Sequence, residues 1–327
     1  MTVHAYLCLM AEKGQDQLRA KAILMEGGLV AIPTETVYGL AANALDEQAV
    51  LRVFTAKNRP FFDPLIIHVP NLDAAQLYAD FNDERLKRLA MHFWPGPLTL
   101  LIPKKNNIPD LVTSGLPRVA VRVPAHPLTL ELLKSIDFPL AAPSANPFGY
   151  VSPTTAEHVA KQLGDKVHYI LDGGPCAVGL ESTIVGIEDN AIAIYRLGGL
   201  AIEDIEALVG KVELRLNSSS DPKAPGQLKN HYAPRKPLFL GKGEVLLAEH
   251  KGKKIAFICF DKESVKQQPL LSFNLSPSGN LQEAAVNLFK ALRDADDSDA
   301  EVVIAEPVTE EGLGRAINDR LRRAAAH

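Results

Sequence analysis

The sequence predicts an α/β protein in two parts, a larger mixed-layer domain followed by a smaller one. Three observations carry this. Short apolar runs rich in Val, Ile and Leu recur between residues 29 and 197, each bounded by Gly, Pro, Asn or Asp as strands are. Segments of helical periodicity lie between several of them, and strands interspersed with helices imply an α/β or α+β layer, not a helical bundle. Near Asn217 the composition breaks: SSSDPKAPGQLKNHYAPRKP gathers Ser, Pro, Gly and basic residues, as an interdomain linker does. At 327 residues the chain is also long for a single core.

The expected strands are LVAIP, PLIIHV, LTLLI, VAVRV, PLAAPS, YILDGG, STIVGI and IAIYRL, with helices over 15–26, 46–56, 82–93, 126–135 and 154–163. After AIPTETVYGL (31–40) a helix-like pattern is expected, with Thr34 or Thr36 able to cap its first turn. Beyond the linker, PLFLG, KIAFICF and EVVIAE read as strands, and 281–293 and 313–325 as helices. The expected boundaries are therefore 1–216, a linker over 217–236, and 237–327.

The formal net charge of −4 argues against a large electrostatic footprint for nucleic acid, although a local basic cleft is compatible with it. The apolar runs are too short to span a membrane. The stretch MTVHAYLCLMAEKGQ has no basic n-region and no small-residue cleavage site, so a cytoplasmic protein is expected. Cys8, Cys176 and Cys259 are scattered and odd in number, and read as buried small residues, with no disulfide framework or thiolate zinc site.

No GxxxxGK[ST] loop and no GxGxxG turn is present, so a phosphate site must be built another way. Four clusters at the ends of apolar runs offer polar groups. In TAKNRP, the proline should hold the chain extended and send Lys57 and Arg59 to the same side, a pair suited to a polyanion or simply to a solvated helix end. In PLIIH, His68 is a lone histidine among apolar residues, ordinarily a core residue. In RVAVRVP, Arg118 and Arg122 are four apart and share a strand face, where two like charges invite an anion. Ser144 and Asn146 in AAPSAN, and Ser182 in GLEST, sit beside tight turns where donors can converge on an oxyanion. A serine nucleophile would need a GxSxG elbow, which neither serine has.

Taken together these motifs resemble the threonylcarbamoyl-AMP synthase family, the YrdC-type tRNA-modification enzymes. PTETVYGL, the KxR of Lys57 and Arg59, PLIIH, FWPGPLTL, VAVRVPAHP, the SxN of Ser144 and Asn146, and GLESTIV occur in the family's order over most of residues 15–200. PGQLKNHYAP and GLGRAINDRLRRAA look like the family's long, two-domain form. The resemblance implies a twisted mixed-sheet YrdC-type domain followed by a smaller, Rossmann-like α/β domain. It implies condensation of L-threonine, bicarbonate and ATP, with magnesium held mainly through the ATP phosphates, into L-threonylcarbamoyladenylate and pyrophosphate. Partner proteins would then transfer the group to adenosine 37 of tRNA, and weak tRNA binding by this chain is compatible with that.

The same resemblance places Thr36, His68, Arg122, Ala142 and Ser182 at threonine, and Arg59, Asp63, Arg118, Ser144, Ser152 and Arg196 at ATP. Lys57 and Asn146 complete the paired signatures, Lys57 and Arg59 being the expected catalytic pair, and a linker residue near His231 or Tyr232 would reach back over the nucleotide. Asp63 stands where the family often has Asn, Arg118 where it often has Thr or Ser, and Leu197 where Pro often follows the arginine. An acidic Asp63 among phosphates would repel unless a metal or another cation intervened, and Arg118 adds a positive charge that could compensate. Glu35 and Tyr38 stay open between packing and ligand. The rival reading is a tRNA or double-stranded RNA binding module without turnover. Carbamoyltransferases with a similar domain carry zinc-finger or acylphosphatase-like segments, and none is visible here.

Overall fold

The computed structural model describes residues 11–216, 224–225, 232–260 and 271–326. Among them, eleven strands form one mixed sheet. Its spatial order is Glu12–Gly14, Tyr169–Leu171, Val30–Ile32, Gly39–Asn43, Leu140–Ala141, Ile66–His68, Arg118–Arg122, Leu98–Pro103, Thr183–Glu188, Ala191–Arg196 and Glu213–Leu214. The register across its centre positions everything that follows. His68 pairs with Arg122 in a parallel ladder, Arg122 with Thr99 in an antiparallel one, and Thr99 with Ile184 in another parallel one.

Because side chains alternate faces with period two, that row fixes two surfaces. On one face Ile66, Ala120, Leu101, Ile184, Ala193 and Tyr195 form a small apolar floor. On the other, Ile67, Val119, Val121, Leu100, Ile102, Val185 and Ile194 enter the main core against the helices. The central strands therefore read as continuous apolar runs, being covered on both sides.

The helices start where the sequence offers caps. Asp46 accepts from the N–H groups of Gln48 and Ala49 to open Glu47–Lys57, and Asn58, at φ +53°, closes it in the left-handed region. Asp83, Thr155 and Asn280 open Glu84–Phe93, Ala156–Leu163 and Leu281–Asp297 in the same way. A second sheet orders Leu238–Leu240, Val302–Ala305, Ile255–Cys259 and Leu271–Asn274, all parallel. Cys176 and Cys259 are buried and free, and Cys8 lies outside the described residues. No described helix is long and apolar enough to cross a membrane.

One expectation is overturned. No helix follows AIPTETVYGL; Gly39–Asn43 is a strand that returns antiparallel to Val30–Ile32, with Ile32 opposite Gly39. The Thr34 hydroxyl accepts from Thr36 N–H at 3.2 Å and Val37 N–H at 3.1 Å, and donates to Val37 C=O at 2.6 Å. It caps a turn of a hairpin connection and not a helix, and the next helix waits for Asp46. The short strands Glu12–Gly14 and Glu213–Leu214 and the four-residue helix Asp110–Thr113 carry too few apolar positions to show a period.

The two sheets share one core. Leu180 and Cys176 of the larger unit pack in the same cluster as Leu288, Phe289 and Ile317 of the smaller one. Backbone approach is close at Gly179, whose φ is +76° and where an added Cβ would lie 2.4 Å from Val286 Cα in the long helix. We expect Gly179→Ala to destabilise the chain by about 2–4 kcal/mol, from the left-handed backbone and the overpacked contact. Urea unfolding read by Trp94 fluorescence and by circular dichroism checks this; a loss below about 1 kcal/mol would mean that the interface yields easily.

Candidate active site

At one end of the apolar floor the sheet changes character. His68, Arg122 and Thr99 lie side by side across three strands, and Ser182, whose hydroxyl is 2.7 Å from that of Thr99, extends the row. All four are buried. A pocket opens over this polar end, enclosing about 50 Å³ of free space. Its walls include Thr34, Arg59, His68, Arg122, Ala142, Ser144, Ser182 and Arg196, and Pro225 and Tyr232 of the linker close it.

Each arginine in this wall is held by oxygen atoms, as buried cations must be. Arg122 donates through Nη1 to the Thr36 hydroxyl at 2.9 Å and through Nε to Gly96 C=O at 3.3 Å, while its Nη2 lies 2.7 Å from Glu35. Glu35 also accepts from Ala125 N–H at 3.0 Å. Arg196 donates to the carbonyl and the hydroxyl of Ser182, both at 3.1 Å. Arg59 donates to the carbonyls of Asp63 at 3.0 Å and Pro64 at 2.8 Å and pairs with the Asp63 carboxylate at 2.9 Å. Burial pulls the pKa values of Arg59 and Arg196 below the ordinary arginine value. A guanidinium is not deprotonated inside a protein, so both act as cations.

Burial, reinforced by the nearby Arg122 charge, pushes His68 down to about 3, so the imidazole is neutral at physiological pH. Its Nδ1 is buried with no hydrogen-bond partner among the described residues. A neutral, unpartnered ring nitrogen beside a guanidinium is a ready contact for a polar ligand group. Glu181, also on the wall, is disfavoured as an anion by burial, but Arg320 and Arg196, with the Ser152 hydroxyl, outweigh that and hold its pKa below the usual carboxylate value.

The structure brings eight of the expected residues onto the wall: Arg59, His68, Arg122, Ala142, Ser144, Ser182, Arg196 and Tyr232. Others stand behind it. Thr36 is fully buried and supports Arg122, leaving Thr34 on the surface of the pocket. Ser152 bonds Glu181, and Asn146 donates to the carbonyls of Pro147 and Tyr150. His231 lies outside the described residues.

Three readings are corrected. Lys57 and Arg59 do not project to one side: Lys57 ends its helix and Asn58 turns the chain left-handed. The Lys57 ammonium donates to Ser144 C=O at 2.6 Å and to Asn146 C=O, which makes it the anchor of the SAN turn and not a wall residue. Burial, and then Arg59, lower its pKa well below the ordinary lysine value. Asp63 is compensated by Arg59 and not by Arg118. Arg118 shares the face of Arg122 but sits at the far end of the floor, where it bonds the Tyr195 hydroxyl at 2.8 Å and Ile187 C=O at 3.1 Å. Between the two arginines the floor is covered by Ala224 of the linker.

Sequence reasoning left Glu35 and Tyr38 open. Glu35 is the partner of Arg122, and Tyr38 is structural, donating to Gly174 C=O at 2.7 Å. It missed Glu181, although the residue lies inside the GLEST run, because a carboxylate in a phosphate-type site has no obvious use until its arginines are seen.

A mixed α/β sheet with an arginine-rich pocket on one face defines the class: a site suited to small anionic ligands, with no nucleophile–base pair among the described residues of its wall. The chain belongs to the Sua5/YciO/YrdC family. That family model, described as "Telomere recombination", matches residues 22–198, and a second, "Threonylcarbamoyl-AMP synthase, C-terminal domain", matches 200–326. The threonylcarbamoyl-AMP synthase of Pyrococcus abyssi is 42% identical over 326 residues, covering 94% of this chain and 93% of the relative. That of Bacillus subtilis is 37% identical over 318 residues, 94% of this chain and 92% of the relative. The crystal structure of P. abyssi Sua5 complexed with L-threonine has a TM-score of 0.89 at 40% identity, covering 97% of each chain. These relatives agree with the enzyme reading and not with the RNA-binding module.

The neutral His68 has a consequence for stability. Its folded pKa lies below the value of 6.5 it has when unfolded, so the unfolded chain binds the extra proton between pH 6.5 and about 3. Stability is full above pH 6.5 and falls as the pH drops through this window, by up to about 1.4 kcal/mol per pH unit. His68→Gln is expected to make the stability curve measured by urea unfolding between pH 6.5 and 4 shallower. An unchanged slope would place a charged His68 in the folded chain.

Proposed function

We propose that this chain is an L-threonylcarbamoyladenylate synthase, which condenses L-threonine, bicarbonate and ATP and releases pyrophosphate. The observation that carries the proposal is the buried row of His68, Arg122 and Thr99, with Ser182, under a wall bearing Arg59 and Arg196. Such a site is preorganised for a carboxylate at one end and for phosphates at the other. Its likeness to the threonine-bound Sua5 structure over nearly the whole chain supports the same substrate here.

In this reading the Arg122 fork, fixed by Thr36 and Glu35, takes the threonine carboxylate. His68, Thr34, Ala142 and Ser182 surround the rest of the amino acid. Bicarbonate takes up a proton and loses water to give carbon dioxide, to which the threonine nitrogen adds with loss of a proton, giving a carbamate. A carbamate oxygen then bonds to the α-phosphorus of ATP as the bond to the pyrophosphate oxygen breaks. This transfer needs placement and charge stabilisation more than proton relay. Arg59 and Arg196 are the cations placed for it, with Ser144 beside them and Arg118 at the far end of the floor. Lys57 and Asn146 act by shaping the turn that carries Ser144.

The carboxylates nearest this end, Asp63 and Glu181, are both engaged by arginines, and the described residues contain no group of three metal-ligating side chains. The donor set does not fit a protein-held magnesium cage; magnesium would enter on the ATP phosphates. Ala224 over the floor and Tyr232 over the pocket favour a linker that moves aside for the nucleotide and closes again, a lid. The product would pass to cytoplasmic proteins that complete the tRNA modification.

The direct test is a mass-spectrometric search for threonylcarbamoyladenylate with pyrophosphate measured in parallel. Both should form only when ATP, threonine and bicarbonate are all present, and pyrophosphate release independent of threonine would overturn the assignment. Arg59→Ala should lower kcat/KM by about 10- to 150-fold, the loss of one charge-assisted contact of about 1.5–3 kcal/mol. Since Asp63 would be left buried beside it, the Arg59→Ala/Asp63→Asn double variant serves as the folded control, and near-normal turnover in that variant would remove Arg59 from the reaction.

A further inference from the structure

The pocket wall is not supported by its own domain alone. Arg320, in the final helix Gly314–Ala324 of the second unit, is 0% exposed. Its Nε donates to Glu181 Oε2 at 3.0 Å, Nη2 lies 3.0 Å from the same oxygen, and Nη2 also donates to Leu197 C=O at 2.8 Å. The third nitrogen is taken by its neighbour Asp319 at 2.8 Å. The guanidinium carbon lies 4.8 Å from the centre of the Tyr232 ring, which itself stacks on Phe289 of the long helix.

One buried group thus joins three separate pieces of the site: the GLEST turn through Glu181, the end of the strand bearing Arg196 through Leu197, and the linker through Tyr232. Glu181 passes the constraint on, because its other oxygen accepts the Ser152 hydroxyl. The turn and the strand end lie close together, since Gly199 N–H donates to Glu181 C=O at 2.8 Å and a Cβ on Gly198 would meet that carbonyl oxygen at 2.2 Å.

We infer that Arg320 is a positioning residue for the nucleotide side of the pocket, and that the second domain is part of the active site by supplying it. The inference rests on the function proposed above. Of the residues Arg320 orders, Ser152, Arg196 and Tyr232 lie on the side assigned to ATP, and the threonine side is reached only indirectly, through Ser182 next to Glu181 and bonded by Arg196. The threonine side is held by Arg122, Thr36 and Glu35, none of which Arg320 touches. Loss of Arg320 is therefore expected to act mainly on one substrate. A merely structural role would weaken both together.

The test uses the full chain and measures pyrophosphate release while ATP and threonine are varied separately. In Arg320→Met the KM for ATP should rise at least tenfold, with the KM for threonine within twofold of the unmodified value. Arg320→Met leaves Glu181 buried without its main partner, so Glu181→Gln/Arg320→Met is made as well. This double variant should unfold at the unmodified temperature yet keep the raised KM for ATP. Arg320→Lys, which retains the charge but not the fork or the planar stack, should show the same rise. Recovery of both stability and KM in the double variant would reduce Arg320 to a counter-charge and overturn the inference, as would an unchanged KM for ATP in any folded variant. Calorimetric titration with ATP gives the same comparison without turnover, so failure of the proposed reaction and failure of this inference are told apart.

Discussion

The site depends on keeping several guanidinium groups charged inside a folded sheet. An unpaired buried cation is prohibitively unfavourable, and the chain answers by surrounding each arginine with backbone carbonyls and a few carboxylates. Arg122 has Gly96, Thr36 and Glu35; Arg59 has Asp63 and Pro64; Arg196 has Ser182. These partners fix the planes of the forks before any substrate arrives. The acidic residues that looked out of place in a site for anionic substrates are thereby explained, for Asp63, Glu35 and Glu181 hold the cations in place.

The same requirement shapes the fold around the pocket. Gly39 lets the hairpin come close to Ala142 and bridge to Ser144; an added Cβ there would lie a tight 3.2 Å from Ala142 Cβ. Lys57 closes the SAN turn from behind by donating to two of its carbonyls. The second domain completes the arrangement. Arg293 of its long helix donates to Ser152 and Val151 carbonyls, while Asp296 accepts from the Tyr150 hydroxyl at 2.6 Å, so the 150–152 loop is gripped from the same side as Glu181. An enzyme built this way has its pocket in one domain and part of the support for that pocket in another.

Much of this was legible in the residues. The apolar runs located the central strands, since a strand covered on both faces needs Val, Ile and Leu throughout. The spacing of Arg118 and Arg122 correctly put both on one face. What misled was local geometry. The proline after Arg59 suggested an extended pair, but the left-handed Asn58 intervenes and separates Lys57 from it. The two threonines of PTETVYGL suggested a helix cap, and the same hydroxyl chemistry serves a hairpin connection equally well. Short edge strands were invisible because three residues cannot display a period.

The sequence by itself determined the family, the α/β class, the order of the motifs and the kinds of side chain that meet a substrate, because composition and spacing are properties of the linear chain. Only the tertiary structure decided which of those side chains face the pocket and which stand behind it. That division depends on strand register and on contacts between residues more than a hundred positions apart. The pairing of Arg320 with Glu181 across 139 residues is the clearest case. Neither residue has a discernible role until the fold buries both together, where each charge requires the other.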